Sequence, residues 1–255
     1  LYGVNILIAT PGRLIELIDS KALALAKLSV LVLDEADKML NLGFKDEMDY
    51  ILKLLPKKRQ NLLFSATLSE KVREVKQIIL HNPIVLSIRA KEENLDNIDQ
   101  TSYSVESERK GPLLRHLIKT YDLQQVLVFT SSTFKADNVA AKLRKNNIQA
   151  TAIHSKKSQG ARTAALQKFK EGGLRVLVTT DLLARGIDIN FLPHVINFEL
   201  PRSPKDFIHR IGRTGRAKNP GNAITFFSSE EEHHFGIIQK KMKKEIETLD
   251  GDKIV

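Results

Sequence analysis

The sequence predicts an α/β fold made of two domains, each a doubly wound parallel sheet. Short apolar runs rich in Val, Ile and Leu alternate with amphipathic segments, the order that lays helices over a parallel sheet. The alternation breaks once, at the polar and charged stretch 89–98, and then restarts. The chain has 255 residues, 42% of them hydrophobic, which suits one large or two ordinary domains with buried cores.

In the first domain, 1–88, the runs at 4–9, 30–33, 61–64 and 84–88 read as strands. The segments at 13–19, 45–55 and 69–80 read as helices, with Pro11 suited to a helix start and Ser69 to an N-cap. Residues 89–98 hold few core side chains and read as a linker. The second domain, 99–247, continues with strand 101–105, helix 110–121, strand 125–129, helix 133–146, strand 150–153 and helix 158–171. Strands 175–179 and 194–198, helix 204–211, strand 223–227 and helix 230–245 complete it. Residues 248–255 lack periodicity and are expected to fray.

There are no cysteines, which excludes a disulfide framework, a thiolate metal site and a cysteine nucleophile. No apolar run approaches membrane-spanning length, and Leu1-Tyr2-Gly3-Val4 has no signal pattern. A cytoplasmic monomer with no membrane association is expected, a nuclear location staying open. Net charge is +10. Residues 1–88 carry 12 Lys+Arg against 10 Asp+Glu, and 89–255 carry 28 against 20, so the basic excess sits in the second domain. Such an excess favours polyanion partners.

Two motifs carry chemistry. His209-Arg210-Ile211-Gly212-Arg213-Thr214-Gly215-Arg216 gathers three arginines, spaced by three, beside apolar Phe207, Ile208 and Ile211. Guanidinium groups repel one another, so the cluster calls for an anion, and arginine grips phosphate oxygens in a fork. The plainer alternative is a solvated basic helix end. Upstream, Ser29-Val30-Leu31-Val32-Leu33 reads as a buried strand that ends in Asp34-Glu35-Ala36-Asp37. Open α/β sheets bind ligands at the C-terminal ends of strands, and carboxylates there hold Mg²⁺ or orient water in nucleotide hydrolases.

Together these blocks resemble the DEAD-box family of ATP-dependent RNA helicases. Other blocks follow in the same order: Ala9-Thr10-Pro11-Gly12-Arg13, Ser65-Ala66-Thr67, Val128-Phe129-Thr130-Ser131, Gln159 with Arg162, and residues 179–188 from Thr179 to Asp188. The resemblance implies two RecA-like domains, ATP and Mg²⁺ as cofactors, and RNA as partner. Asp34 would bind Mg²⁺ through water, and Glu35 would activate the attacking water. Asp37 would connect to Ser65, Thr67 and His209. Arg213 and Arg216 would reach the γ-phosphate, and Asp188 the ribose. RNA would meet Thr10, Gly12 and Arg13 in the first domain. In the second it would meet Thr130, Gln159, Arg162, Thr180, Arg185 and Gly186. Phe129 and Phe169 are expected in the core, and His233-His234 on a solvated helix face. His154-Ser155 departs from the family's His-Gly.

No Gly-Lys dipeptide occurs anywhere, so the phosphate-cradling loop G-x-x-x-x-G-K-[ST] is absent. By the resemblance the chain begins partway through the first domain, which is expected to be incomplete and inactive alone. A non-enzymatic RNA-binding fragment is the rival reading, and a DNA helicase of the same superfamily a third.

Overall fold

The computed structural model describes residues 4–66, 72, 80, 82–87, 95, 97–181, 192–215 and 220–255. The chain divides into two units, Leu1–Ile88 and Arg89–Val255.

The first unit contains α1 (Pro11–Asp19), β1 (Val30–Leu33), α2 (Ala36–Asn41), α3 (Lys45–Leu54) and β2 (Gln60–Leu63). Strands β1 and β2 pair in parallel, Val30 opposite Gln60 through Leu33 opposite Leu63. Alternate side chains of a strand face opposite ways. Leu31, Leu33 and Leu63 turn towards Leu40, Met48 and Val72. Val30, Val32 and Leu62 turn the other way and stay open, Val32 being 52% exposed. The strand expected to be buried on both faces is thus covered on one.

The runs at 4–9 and 84–88 form no strand among the described residues, and Ile8 and Ile84 are 92% and 90% exposed. A strand needs a ladder partner, and neither run has one there. The helix expected at 69–80, with its cap Ser69, lies almost wholly outside the described residues, as does position 88. Helix α2 was too short for periodicity to announce it.

The second unit contains β3 (Ile98–Ser104), α4 (Lys110–Thr120), β4 (Val126–Phe129), α5 (Thr133–Lys145), β5 (Ala150–Ile153) and α6 (Gln159–Lys170). It continues with β6 (Val176–Thr179), β7 (His194–Asn197), α7 (Pro204–Ile211), β8 (Gly221–Phe227), α8 (Glu232–Met242) and β9 (Glu247–Asp250). Seven strands form one sheet in the order β5-β6-β4-β7-β8-β3-β9, every pair parallel. The pleat divides the strand residues between two faces. Val126, Val128, Val176, Val178, Ile196 and Phe226 pack with Leu113, Leu117, Val139 and Leu143 of α4 and α5. Leu127, Phe129, Leu177 and Val195 pack with Phe169 of α6. Ala223 and Phe227 pack with Phe207 of α7 and Phe235 of α8. Helices thus cover both faces, as the alternation predicted.

Two boundaries need correction. Ile98, assigned to the linker, opens β3 and is 2% exposed. The tail 248–255, expected to fray, supplies β9, which pairs with β3 from Thr101–Glu247 to Ser104–Asp250. A short 3₁₀ turn over Gly251–Lys253 follows, Gly251 is buried, and Val255 packs on the core. Four residues of edge strand are too few for an alternation to be visible. Helix α8 stops at Met242 rather than 245 because Lys243 takes a left-handed conformation, φ 55°, the usual way to end a helix.

Candidate functional site

In the first unit the parallel pairing of β1 and β2 sets Asp34-Glu35 beside Ser65. The Phe64 amide donates to Leu33 O at 2.8 Å, and the Ala36 amide to Phe64 O at 3.1 Å. Asp34 Oδ1 accepts the Glu35 amide at 2.9 Å. Glu35 takes φ 50°, a left-handed turn unusual for a non-glycine residue. That turn lets the chain leave the strand and enter α2 at once. It holds the Glu35 side chain in solvent, where Lys38 pairs with it at 2.8 Å. Asp37, in the first turn of α2, is 4% exposed, and Ser65 is half-buried. Asp34, Glu35, Asp37 and Ser65 therefore share the C-terminal end of the paired strands. Thr67 lies outside the described residues.

Thr10 precedes α1, and its carbonyl accepts the Leu14 amide at 2.9 Å. Arg13 is exposed and pairs with Glu16 at 2.7 Å. A Cβ at Gly12 would meet nothing within 4 Å, so the fold itself does not ask for glycine there.

In the second unit the central strands β6, β4 and β7 end side by side, at Thr179, Phe129 and Asn197, so Thr180, Thr130 and Phe198 follow them directly. Thr180 is half-buried, and Gln159 and Arg162 sit in the first turn of α6. Arg162 Nη2 donates to Gln159 Oε1. Thr130 is fully buried, and its one hydroxyl proton is shared between Ser132 O at 3.2 Å and Thr179 O at 3.4 Å, so the side chain braces the strand end. The residue exposed at this strand end is Ser131.

The arginine octet also divides. His209 and Arg213 are half-buried. Arg210 is 2% exposed, and its anion is internal. Its guanidinium forks onto Asp181 at 2.5 and 2.7 Å. The third nitrogen donates to Glu199 O at 2.6 Å and Asn197 Oδ1 at 3.2 Å, and the group lies 4.9 Å from the Phe129 ring. A buried charge is tolerated only when paired and hydrogen-bonded. Glu199 continues the network. Its carboxylate accepts the Ser131 amide and hydroxyl, both at 2.7 Å, and pairs with Lys135. Burial raises the Glu199 pKa, but those partners outweigh it and leave the carboxyl below its ordinary value. Sequence reasoning missed Asp181, Asn197, Glu199 and Ser131. The available signal was a polar residue, Asn197, inside the apolar run 195–198.

After α7 the chain turns at Gly212, and Thr214 forms a parallel bridge with Leu192. The Thr214 hydroxyl donates to Leu192 O, and the Leu192 amide to Arg213 O at 3.1 Å. Gly215 has φ 63°, and a Cβ there would stand 2.3 Å from Ile98 Cγ1. Arg185, Gly186, Asp188 and Arg216 lie outside the described residues.

Elsewhere, Phe129 and Phe169 are core. His234 Nε2 contacts Pro201 O at 2.8 Å while His233 is exposed. Among the described residues no group of three His, Asp or Glu gathers as for a metal, and no helix is long and apolar enough to cross a membrane.

Known proteins resemble this chain in sequence and fold. The model of the DEAD/DEAH box helicases matches residues 1–75, and that of the helicase conserved C-terminal domain matches 109–218. The ATP-dependent RNA helicase CshA of Listeria monocytogenes is 39% identical over 245 residues, 96% of this chain and 47% of that protein. The DEAD-box ATP-dependent RNA helicase CshA of Bacillus subtilis is 37% identical over 96% of this chain and 50% of its own length. The chain thus spans about half the length of the curated relatives it matches. Among solved structures, S. cerevisiae Dbp5 bound to RNA and ADP BeF3 aligns with TM-score 0.78 at 32% identity, over 95% of this chain and 65% of that one. A DEAD box protein from Methanococcus jannaschii aligns with TM-score 0.58 at 34% identity, over 94% and 65%. With both helicase models matched in order around Asp34-Glu35-Ala36-Asp37 and the arginine octet, the chain belongs to the DEAD-box helicase family.

Proposed function

We propose that the protein is an ATP-dependent RNA helicase, coupling ATP hydrolysis to local separation or remodelling of RNA duplexes. The observation that carries this reading is the shared strand end of β1 and β2, where Asp34, Glu35 and Ser65 meet. Asp34 keeps one oxygen on the Glu35 amide, and no cation pairs with it among the described residues. That suits a carboxylate that meets Mg²⁺ through water. The ion would supply charge neutralisation at the transferring phosphate. Glu35, exposed and one residue on, would orient and deprotonate water. Asp37 and Ser65, with Thr67 and His209, would link hydrolysis to RNA. Arg213 and Arg216 would neutralise charge in the transition state, and Asp188 would accept from the ribose.

RNA would be held by phosphates and 2′-hydroxyls at Thr10, Gly12, Arg13, Gln159, Arg162, Thr180, Arg185 and Gly186. The relatives' names and the RNA-bound neighbour support this, and the cytoplasm is where we place it. The second reading, RNA binding without turnover by these 255 residues alone, rests on the missing Gly-Lys dipeptide. Phosphate release and RNA binding by the purified chain separate the two. RNA retention without RNA-stimulated hydrolysis is expected. Stimulated hydrolysis that disappears in Glu35→Gln would overturn the second reading. Failure to retain RNA at low salt would overturn the RNA assignment.

A further inference from the structure

We infer that Arg210 is a positioning residue that ties the RNA-facing strand ends of the second unit to the arginine segment while touching neither ligand. This inference rests on the RNA reading of those strand ends. Four of its five N–H donors are spent on Asp181, Asn197 and Glu199. The fifth is buried with the rest of the side chain, which is 2% exposed, so it does not face a phosphate in solvent. The partners sit at the ends of β6 and β7, the two strands that flank β4. Asp181 directly follows Thr180 after β6. Asn197 closes β7, and Glu199 lies two residues beyond it. Glu199 then reaches β4, since its carboxylate holds the Ser131 amide and hydroxyl.

Arg210 belongs to the last turn of α7, between His209 and Arg213. A shift of that turn must carry Asp181 and Glu199 with it or break a buried fork. Breaking one side of such a pair strands an uncompensated charge. The side chains meant for nucleotide and those meant for RNA are therefore tied through one guanidinium. The Lys135–Glu199 pair adds a second strut, from the first turn of α5.

The test uses the 255-residue chain, Arg210→Lys and Asp181→Asn. RNA affinity is measured against salt with a single-stranded RNA, and amide exchange is followed at Ser131. Both variants should lose affinity by about 2- to 30-fold, the range of coupling changes in packed networks. The salt slope should not change, because no phosphate contact is lost. Ser131 exchange should quicken at least about tenfold, while β4 itself stays protected. A slope lowered by about one unit would show Arg210 on a phosphate and overturn the inference. So would unchanged affinity together with unchanged Ser131 exchange. If the unaltered chain retains no RNA, the RNA reading falls, and Ser131 exchange alone decides the tie. If Arg210→Lys does not fold, Asp181→Asn, which keeps size and one acceptor, carries the test.

Discussion

Gly215→Ala should destabilise the second unit by about 2–5 kcal/mol. Two costs add. The position has φ 63°, and a left-handed conformation costs an L-residue about 1–2 kcal/mol. The new methyl would also stand 2.3 Å from Ile98 Cγ1 and 2.9 Å from Asn97 O, where overpacking costs about 1–3 kcal/mol. Neither neighbour yields cheaply. Ile98 is 2% exposed within the core, and Asn97 O accepts the Gly221 amide at 2.9 Å. For a unit of this size the melting temperature falls by about 2–4 °C per kcal/mol. The assay is thermal and urea unfolding followed by circular dichroism, with Gly236→Ala as control. Gly236 lies in α8 with nothing within 4 Å of its would-be Cβ, so alanine should stabilise by about 0.5–1 kcal/mol. A loss below about 0.5 kcal/mol at Gly215 would refute the reasoning, since the segment from Arg213 would then be free to shift.

Three further outcomes are expected. Gly12→Ala should raise stability by about 0.5–1 kcal/mol, because α1 gains a better helix former in open space, yet it should weaken RNA binding if RNA backbone approaches there; filter binding beside a melt decides it. Deleting 248–255 should cost about 1–3 kcal/mol. The Ser102 hydroxyl loses Thr248 at 2.7 Å but keeps Glu247 O at 3.0 Å, and the partly buried Val255 leaves the core, with urea midpoints as the check. Acid should act in two steps. Burial holds the His194 pKa below its ordinary value, so stability declines as pH drops below about 6.5, and His194→Gln should remove that slope. Glu199 and Glu231, both lowered by their lysine and serine partners against burial, add stability present above about pH 4.3 and lost as pH falls through their folded values. A single transition unaffected by His194→Gln would contradict the first step.

How much of this was legible depended on what each residue had to say locally. Val126-Leu127-Val128-Phe129 and Val176-Leu177-Val178 announce central strands because both faces are covered, and the structure buries every one of these positions. The first unit shows the opposite. Val30-Leu31-Val32-Leu33 has the same composition, but only Leu31 and Leu33 meet a core. A strand's composition records the faces it is made to cover, not the partners that happen to be beside it. Ordered motif blocks located Asp34, Glu35, Ser65 and Arg213 at strand and helix ends, since chemistry at a sheet's C-terminal edge needs residues just past the apolar runs. Residues 247–250 stayed hidden because an edge strand with four exposed side chains carries no hydrophobic pattern.

The arginine octet shows why spacing alone could not assign its members. Arginines three apart would share a helical face, and a shared face would suggest a shared ligand. Helix α7, however, ends at Ile211, and Gly212 takes the chain out of helical register. Arg210 therefore remains on the buried side with Phe207 and Ile211, where an ion needs a partner within the protein. Arg213 emerges beyond the turn, half-buried, with its carbonyl held by Leu192. The repulsion between the guanidinium groups of Arg210 and Arg213 is thus resolved by geometry: one charge is neutralised inside by Asp181, and Arg213 is carried outward by a rigid turn. The inward fork is what makes the turn rigid, because the helix that presents Arg213 is fixed at its last turn to the ends of β6 and β7. A side chain buried away from solvent thereby sets where Arg213 can stand.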